Sequence, residues 1–278
     1  MRVGIFARHE NAEAGALCAG FSLAGHRVAM RSLSDYGDGQ VERFDLIVVT
    51  GLRGRGAACV RDHAASGIPA LVVDFGYMAR DVYYQVGLGG LNRIPEFACP
   101  ADRFNALGLT VHARGGDPEG YVLVLGQVPG DAAHGMDDGA LRAWVESTLE
   151  QYPGARYRPH PLGGEPVDGT LAEALAGARL VVTWNSNAGH EALLAGVPVI
   201  AYGPAAYAEL AGPDLPSVAE RRAYFERLAY AQWTLAEMAD GTATRFLVEH
   251  LLPGRPVEFA APAAEPVKSP KRRRARGA

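Results

Sequence analysis

Residues 183–204 read TWNSNAGHEALLAGVPVIAYGP, in which a short polar segment separates two apolar runs. Arg179–Thr183 leads into this stretch and predicts a buried strand, and Val197–Tyr202 predicts a second strand. Between the strands a short helix carries His190 and Glu191, and a Gly and a Pro precede the second strand. Strand, helix and strand in this order predict a βαβ unit with parallel strands.

The segment Ser186–Glu191 lies where the first predicted strand ends and the helix begins. The first turn of a helix has N–H groups without partners, and the helix dipole attracts an anion. Ser186 and Asn187 therefore either cap the helix or bind phosphate oxygens, and Gly189 permits close approach of a ligand. Glu191 either accepts hydrogen bonds from ribose hydroxyls or is a solvated acid that suits the helix dipole.

Two other predicted strands in the second half also end in polar or Gly-rich loops. Tyr121–Leu125 leads into GQVPGD, and Arg156–Arg158 leads into Pro-His-Pro. Because the carboxyl ends of parallel strands meet at one edge of a sheet, these loops and residues 183–204 are predicted to form one ligand site. Its candidate residues outside Ser186–Glu191 are Gly126, Gln127, Asp131, Arg158, His160 and Tyr202.

The first third of the chain likewise alternates short apolar runs with helical patterns. Val3–Ala7, Phe44–Thr50 and Ile68–Phe75 predict strands buried on both faces, as in a parallel sheet. Residues 76–108 show no clear period and are predicted to be a long functional loop, whereas Ser217–Trp233 predicts a closing helix. We predict an α/β fold of two Rossmann-like, doubly wound domains facing a cleft, at residues 1–107 and 108–252, with a disordered tail at 253–278.

Two carboxylates follow predicted strands in the N-terminal half. Asp74 ends the run IPALVVDF, and Glu10 follows the first strand. A carboxylate at a strand end can deprotonate a hydroxyl as a general base, with Asp74 the first candidate and Glu10 the second. The alternative for Asp74 is a turn residue that bonds its own backbone. Several side chains after Asp74 could stack on or hydrogen-bond to an acceptor: Tyr77, Tyr83, Tyr84 and Asn92. The simpler alternative is that the aromatic ones pack in the core.

The composition excludes several classes of protein. The three cysteines are widely separated and form no CxxC pair, which predicts free thiols in a reducing compartment and no structural metal. GLRGRG and GLGGLN match neither the P-loop nor the dinucleotide-binding pattern, so a kinase and a dehydrogenase are excluded. Without a signal peptide or an apolar run of about 18 residues, the chain is expected to be soluble and cytoplasmic.

Several of these segments together resemble a known family. VLVLGQVPGD, RPHP and the pattern S-N-x-G-x-E-A-L-L-x-G-x-P-V before YG are similar to capsule polysaccharide biosynthesis glycosyltransferases of the Kdo-transferase kind. LAYAQWTLAEMADG at residues 228–241 resembles the closing helices of that family. The resemblance covers about residues 121–252. It implies a GT-B fold, a nucleotide-sugar donor in the C-terminal domain, an acceptor in the N-terminal domain, and no catalytic metal.

The resemblance also implies roles for individual residues. His160, Ser186 and Asn187 would contact a donor phosphate, and Glu191 would hold the ribose. Gln127 and Asp131 would border the donor cleft. The nucleotide sugar would be a co-substrate, so no separate cofactor is expected.

A basic segment at the end of the chain suggests the acceptor. Lys268–Arg276 holds six of the 27 basic residues and no acid, although the net charge of the whole chain is −4. A flexible cationic segment attracts phosphate backbones, so DNA is a predicted partner of this segment. We hypothesise sugar transfer to an acceptor hydroxyl, with a hydroxymethylated base of phage DNA in the host cytoplasm as one acceptor. The alternatives are a saccharide or lipid-linked acceptor of capsule type, epimerisation of a nucleotide sugar, and nucleotide binding without catalysis.

Overall fold

This computed structural model describes residues 1–8 and 11–252, in which strands and helices alternate. The N-terminal half contains β1 (Arg2–Ala7), α1 (Ala12–Leu23), β2 (Arg27–Ser32), β3 (Leu46–Thr50), α2 (Arg55–Ala65), β4 (Ala70–Phe75), β5 (Tyr83–Leu88) and α3 (Asp102–Ala106). The C-terminal half contains β6 (Tyr121–Leu125), α4 (Asp138–Gln151), β7 (Arg156–Arg158), α5 (Leu171–Ala176), β8 (Ala178–Thr183), α6 (Ala188–Ala195), β9 (Val199–Ala201), α7 (Val218–Ala229), β10 (Gln232–Thr234), α8 (Leu235–Ala239) and α9 (Thr242–Phe246). Glu10 and the basic tail lie outside the described residues.

The first sheet has six strands in the order β10-β5-β4-β3-β1-β2. Strands β2, β1, β3 and β4 are parallel, whereas β5 pairs antiparallel with both β4 and β10. Side chains of β1 alternate between two cores, because Ile5 packs against α1 and α8 and Phe6 packs against α2. Burial on both faces explains why these strands have continuous apolar sequences.

The second sheet has four strands in the order β7-β6-β8-β9, and all of them are parallel. Val181 on β8 packs with α6 and α7, whereas Val182 on the other face packs with Trp144 of α4. The capping box predicted from Thr170 and Glu173 is present at the start of α5. Both halves are therefore doubly wound, which confirms the predicted α/β class with two Rossmann-like sheets.

The structure differs from the sequence predictions where the strands are short or antiparallel. Residues 76–108 contain β5 and α3 rather than one long loop. Helix α7 ends at Ala229 and is followed by β10, so Ser217–Trp233 is not a single helix. The sequence YYQVGL of β5 and the three residues of β10 do not alternate clearly between polar and apolar side chains. The sequence therefore does not identify these strands, which form through pairing with other strands.

The end of the described chain returns to the first sheet. β10 pairs with β5, and helices α8 and α9 pack against α1 through Met238 and Ala243. Residues of the proposed second domain, 108–252, thus contribute to the sheet of the first. The domain boundaries at 107 and 252 stay a proposal.

Candidate active site

The loops at the carboxyl ends of both sheets meet one another. Arg53 follows β3 and lies 4.0 Å from the carboxylate of Asp131, which follows β6. The Asn187 side chain, after β8, donates a hydrogen bond to the carbonyl of Tyr77, after β4. Asn92, beyond β5, donates to the carbonyl of Pro204 at 3.0 Å. The strand ends of the two halves therefore border a common cleft, the place where open α/β sheets bind ligands.

Asp74 lies on the first-sheet side of this cleft and is the penultimate residue of β4. Its carboxylate accepts the N–H of Phe75 at 2.7 Å, as the turn alternative anticipated. Burial raises the pKa of Asp74, and the negative charge of Asp131 raises it further. The Phe75 N–H, Arg80 and Arg53 oppose this rise without cancelling it. A carboxyl with a raised pKa beside a cleft is suited to accept a proton.

Two arginines give the same side of the cleft a positive charge. The positive charges of Arg80 and Arg53 both act on Asp74, and Arg80 also lowers the pKa of His160 on the opposite half. Arg8 supports this region because its guanidinium donates to the carbonyl of Arg53 at 2.7 Å. These groups could neutralise a ligand phosphate placed between the two sheets.

His160 follows β7 and is half-buried in the second half of the cleft. Its Nδ1 accepts the main-chain N–H of Leu162 at 3.0 Å, so the neutral ring carries its proton on Nε2. Burial lowers the pKa of His160, with a further contribution from Arg80, and the ring is therefore neutral at pH 7. A neutral imidazole with an Nε2–H is a hydrogen-bond donor for a phosphate oxygen.

A small pocket adjoins His160. Its volume is about 120 Å³, and Gln127, Leu141, Tyr157 and Pro159 contribute to its walls. The acidic side chains of Asp138, Glu146 and Glu165 also line the pocket, together with Arg142. The pocket thus has apolar walls and hydrogen-bonding groups, which suits part of a polar ligand.

Gln127 organises the loop after β8 rather than pointing freely into the cleft. With its amide oxygen turned toward this loop, it accepts the N–H groups of Asn185 at 3.0 Å and Ser186 at 2.8 Å. The same oxygen accepts the Thr183 hydroxyl at 3.2 Å. The buried amide therefore fixes the loop that carries the predicted phosphate contacts.

The start of α6 is largely satisfied by its own residues. The Ser186 hydroxyl accepts the N–H of Ala188 at 3.3 Å, and the Ser186 carbonyl accepts the N–H of Gly189 at 3.0 Å. Asn187 is the N-cap residue, but its side chain forms no capping bond and instead holds Tyr77. A phosphate bound at this helix start would replace the 3.3 Å hydrogen bond between the Ala188 N–H and the Ser186 hydroxyl.

Glu191 lies one turn into α6 with its side chain exposed. Partial desolvation by the surrounding protein raises the pKa of the carboxyl. Within residues 1–8 and 11–252, the side chain of Glu191 forms no hydrogen bond. The residue is exposed to water, and the surrounding protein still disfavours the charged form of its carboxyl. This environment is compatible with the predicted contact to ribose hydroxyls.

Asp131 and His134 form the loop wall next to Arg53. The Asp131 carboxylate accepts the N–H of Ala133 at 2.8 Å, and the buried His134 accepts the N–H of Met136 at 3.0 Å through Nδ1. Asn185 donates to the carbonyl of Ala133 at 2.9 Å, which links this wall to the loop after β8. The negative charge of the predicted residue Asp131 acts on both Asp74 and His160 and favours a higher pKa for each.

The structure places other predicted residues away from this group or gives them a packing role. The Arg158 guanidinium donates to the carbonyls of Asp168 and Gly169, and the Tyr202 hydroxyl donates to Gln151 on α4. A Cβ at Gly126 would approach Tyr157 and the backbone of His160, and a Cβ at Gly189 would overlap the Tyr207 ring. Tyr77 is buried beside His190, so the core alternative describes it.

Arg53, Asn185 and His134 were missed as site candidates by sequence reasoning. The loop GLRGRG follows an apolar strand, and this position at a strand end is the signal that could have identified Arg53. Asn185 directly precedes the segment Ser186–Glu191. His134 had no such signal, because it lies within the loop between β6 and α4, away from the strand end, and the course of this loop brings it back to the cleft.

Among the described residues, no group of three or more His, Cys, Asp or Glu side chains is arranged to hold a metal ion. Independence from a metal remains a prediction to be tested with chelators. In the same part of the chain, every helix is too short or too polar to cross a bilayer.

Two doubly wound halves that close on a cleft between their strand ends define the GT-B class of fold. Residues 119–213 match the family model of capsule polysaccharide biosynthesis proteins, which confirms the resemblance predicted from the sequence. This segment contains three of the motifs on which that prediction rested: GQVPGD, RPHP and the Ser186–Glu191 segment with its continuation. The fourth, at residues 228–241, lies beyond the matched segment.

Solved structures with a similar fold extend the likeness to most of the chain. The beta Kdo 2,4 transferase KpsC of Thermosulfurimonas dismutans is 17% identical with a TM-score of 0.55, and the alignment covers 84% of this chain and 92% of that one. The beta Kdo 2,7 transferase KpsC of the same organism is 13% identical with a TM-score of 0.50, covering 88% and 99%. At these identities the likeness establishes the fold. A comparison with curated protein sequences gave no match.

Proposed function

We propose that this protein is a glycosyltransferase of capsule type, which moves a sugar from a nucleotide-sugar donor to a saccharide hydroxyl. The observation that carries the proposal is the pairing of Asp74 on one side of the cleft with His160 and the Ser186–Glu191 segment on the other. The family match over the C-terminal half supports a donor site there. Transfer with inversion needs both groups: a base for the acceptor and a donor contact for the leaving phosphate.

The proposed reaction uses these residues in one displacement. The acceptor oxygen attacks the anomeric carbon while the bond from this carbon to the phosphate oxygen breaks, and the nucleotide leaves with the bonding electrons. Asp74 accepts the proton of the acceptor hydroxyl, which is required when the anomeric configuration inverts. The Nε2–H of His160 and the positive charges of Arg53 and Arg80 stabilise the negative charge on the departing phosphate.

On the donor, Glu191 accepts hydrogen bonds from the ribose hydroxyls, and Ser186 contacts a phosphate. Gln127 acts as a positioning residue because it holds the backbone of Asn185 and Ser186. Asp131 borders the donor and keeps Arg53 at the cleft. Asn187 positions the two halves through Tyr77 rather than binding phosphate through its amide N–H.

The DNA acceptor has no support in the described residues or in the comparisons. The hypothesis rested on Lys268–Arg276, which lies outside the part of the chain that the structure describes. A saccharide acceptor is favoured because the matched family acts in capsule polysaccharide biosynthesis.

Nucleotide release distinguishes the alternatives. Purified protein is incubated with CMP-, UDP- and GDP-sugars, alone, with a panel of oligosaccharides, or with hydroxymethylated DNA, in buffer with and without EDTA. Release that requires an oligosaccharide is the expected result, at equal rate in EDTA. Donor conversion without acceptor would indicate an epimerase, and release only with DNA would restore the DNA hypothesis. Nucleotide binding without any turnover would contradict catalysis.

Asp74→Asn tests the proposed base. The amide can still accept the Phe75 N–H, so we expect a folded protein with kcat reduced at least roughly 100-fold, the scale of general-base catalysis. The wild-type rate should rise with pH through the raised pKa of Asp74, because only the carboxylate accepts a proton. Asp45→Asn is the control, because this exposed carboxylate accepts the Arg2 N–H at the opposite ends of the strands, and an amide can still accept it. A wild-type kcat in Asp74→Asn would refute this role.

A further inference from the structure

The carboxyl end of β4, where Asp74 lies, carries an aromatic pair that the proposed reaction does not use. The Phe75 side chain is 57% exposed, and its ring stacks beside that of Tyr84, with 6.4 Å between the centroids and 21° between the planes. The two residues are direct partners in the pairing of β4 with β5. Cross-strand neighbours share one face of a sheet, so the rings form a continuous apolar surface.

Arg80 connects this surface with the reacting groups. Its guanidinium carbon lies 5.8 Å from the centroid of the Phe75 ring, within the range of a cation–π contact. The same charge acts on Asp74 and on His160. The exposed ring is therefore next to the cleft, even though Phe75 and Asp74 point to opposite faces of β4.

The turn that presents Arg80 is held firmly. Gln232 on β10 accepts the N–H groups of Tyr77 and Met78, each at 2.9 Å. The next residue, Ala79, has φ of 45°, a left-handed conformation that a residue with a Cβ adopts at a cost. The Ala79 carbonyl accepts the N–H of Val82 at 2.8 Å, which closes the turn. This turn therefore fixes the backbone position from which the Arg80 side chain extends.

We propose that Phe75, Tyr84 and Arg80 form the subsite that holds a pyranose ring of the acceptor saccharide beside Asp74. A pyranose has an apolar face of C–H groups and a rim of hydroxyls. The aromatic surface takes the C–H face, and the Arg80 guanidinium donates to rim hydroxyls. The assignment rests on the proposed transfer to a saccharide and names the part of the chain that recognises it.

Direct binding tests the subsite without requiring turnover. Saturation-transfer NMR is recorded on the full chain with methyl β-D-glucopyranoside, methyl β-D-galactopyranoside and mannitol. Mannitol has similar hydroxyls but lacks a ring face, so we expect transfer to a pyranoside and none to mannitol. Phe75→Tyr should retain the signal because it keeps the ring. Phe75→Leu keeps apolar bulk without the aromatic face and should weaken affinity about fivefold.

Two controls make the outcome decisive. Phe97→Leu changes another exposed phenylalanine, which packs beside Phe246 and His250, and it should leave pyranoside binding unchanged. The oligonucleotide dT8 is the competing ligand, because bases also stack on aromatic rings. Equal pyranoside binding by wild type and Phe75→Leu, or Phe75-dependent binding of dT8 alone, would overturn the proposal. Absence of nucleotide release with intact, Phe75-dependent pyranoside binding would refute the transferase function and leave the subsite standing.

Discussion

At the scale of single residues, some residues of the cleft have contacts in the structure that their sequence motif did not predict. Gly189 was expected to let a ligand approach, but its missing Cβ accommodates the Tyr207 ring. Gln127, predicted at the border of the donor cleft, lines the pocket at His160 and also accepts backbone N–H groups of the loop after β8. Glu191 has no such structural duty among the described contacts, which makes it the clearest candidate for ligand recognition.

The ribose role of Glu191 predicts a loss of nucleotide binding on truncation. In thermal-shift measurements with CMP, UDP and GDP, one nucleotide should raise the Tm of the wild type, because a ligand that binds only the folded state stabilises it. Glu191→Ala should remove most of this shift without lowering the Tm of the free protein. Glu150→Ala removes an exposed glutamate of α4 and should keep the full shift. A full nucleotide response in Glu191→Ala would exclude the ribose contact.

At the scale of elements, helix α6 is buried along most of its length and exposes Glu191. The His190 ring lies among Tyr77, Tyr207, Tyr224 and Phe225. Its two nitrogens face the Asn187 carbonyl at 3.0 Å and the Tyr224 hydroxyl at 2.9 Å. The histidine within this motif therefore fastens α6 to α7, and it presents the preceding loop to the cleft from a rigid base.

Burial of this ring predicts acid sensitivity. It lowers the pKa of His190 from 6.5 to about 4, so the unfolded chain binds a proton between these pH values while the folded chain does not. Stability is therefore retained above pH 6.5 and falls as the pH drops toward 4, by about 3 kcal/mol in the free energy of unfolding.

Urea unfolding at several pH values measures this effect. His190→Phe lowers stability at every pH through lost hydrogen bonds, but it should remove the part of the pH dependence between 6.5 and 4 that His190 contributes. His112→Asn, a change at an exposed position, should keep the wild-type slope. An unchanged slope in His190→Phe would show that other groups govern acid unfolding.

At the scale of the whole molecule, the two sheets are joined by buried polar contacts as well as by chain connections. The half-buried Asn187, after β8, donates to the carbonyl of Tyr77, after β4. Gln232 in the first sheet anchors Tyr77 and Met78, which belong to the core of the second. These contacts define the relative position of Asp74 and His160, on which the proposed transfer depends.

Gln232→Leu tests this junction. The substitution leaves the buried N–H groups of Tyr77 and Met78 without an acceptor, at a cost of about 1–3 kcal/mol for each. We expect the free energy of unfolding in urea to fall by roughly 2–5 kcal/mol, together with a lower rate of sugar transfer. Gln151→Leu removes an exposed amide that accepts from Tyr202 and should cost under about 1 kcal/mol. Equal losses in the two variants would show that Gln232 has no special part in the junction.

The sequence by itself determined the parallel strands, their order along the chain and the loops at their carboxyl ends. Runs such as LIVVT and YVLVL consist almost entirely of apolar residues. Such a run predicts a strand that is buried on both faces, because neither face has polar side chains for water. The resemblance of three motifs to one family followed from the same local patterns.

Only the tertiary structure decided which loop residues meet. β5 and β10 form because β4 offers an edge to pair with, and nothing in three residues such as QWT encodes that partner. Arg53 and His134 join the cleft through the approach of two sheets that are far apart along the chain. Arg158 and Tyr202 do not join this group. The Arg158 guanidinium donates to backbone carbonyls, and the Tyr202 hydroxyl donates to the amide of Gln151. The positions of these side chains depend on partners outside their own sequence motif, and the local sequence therefore does not predict them.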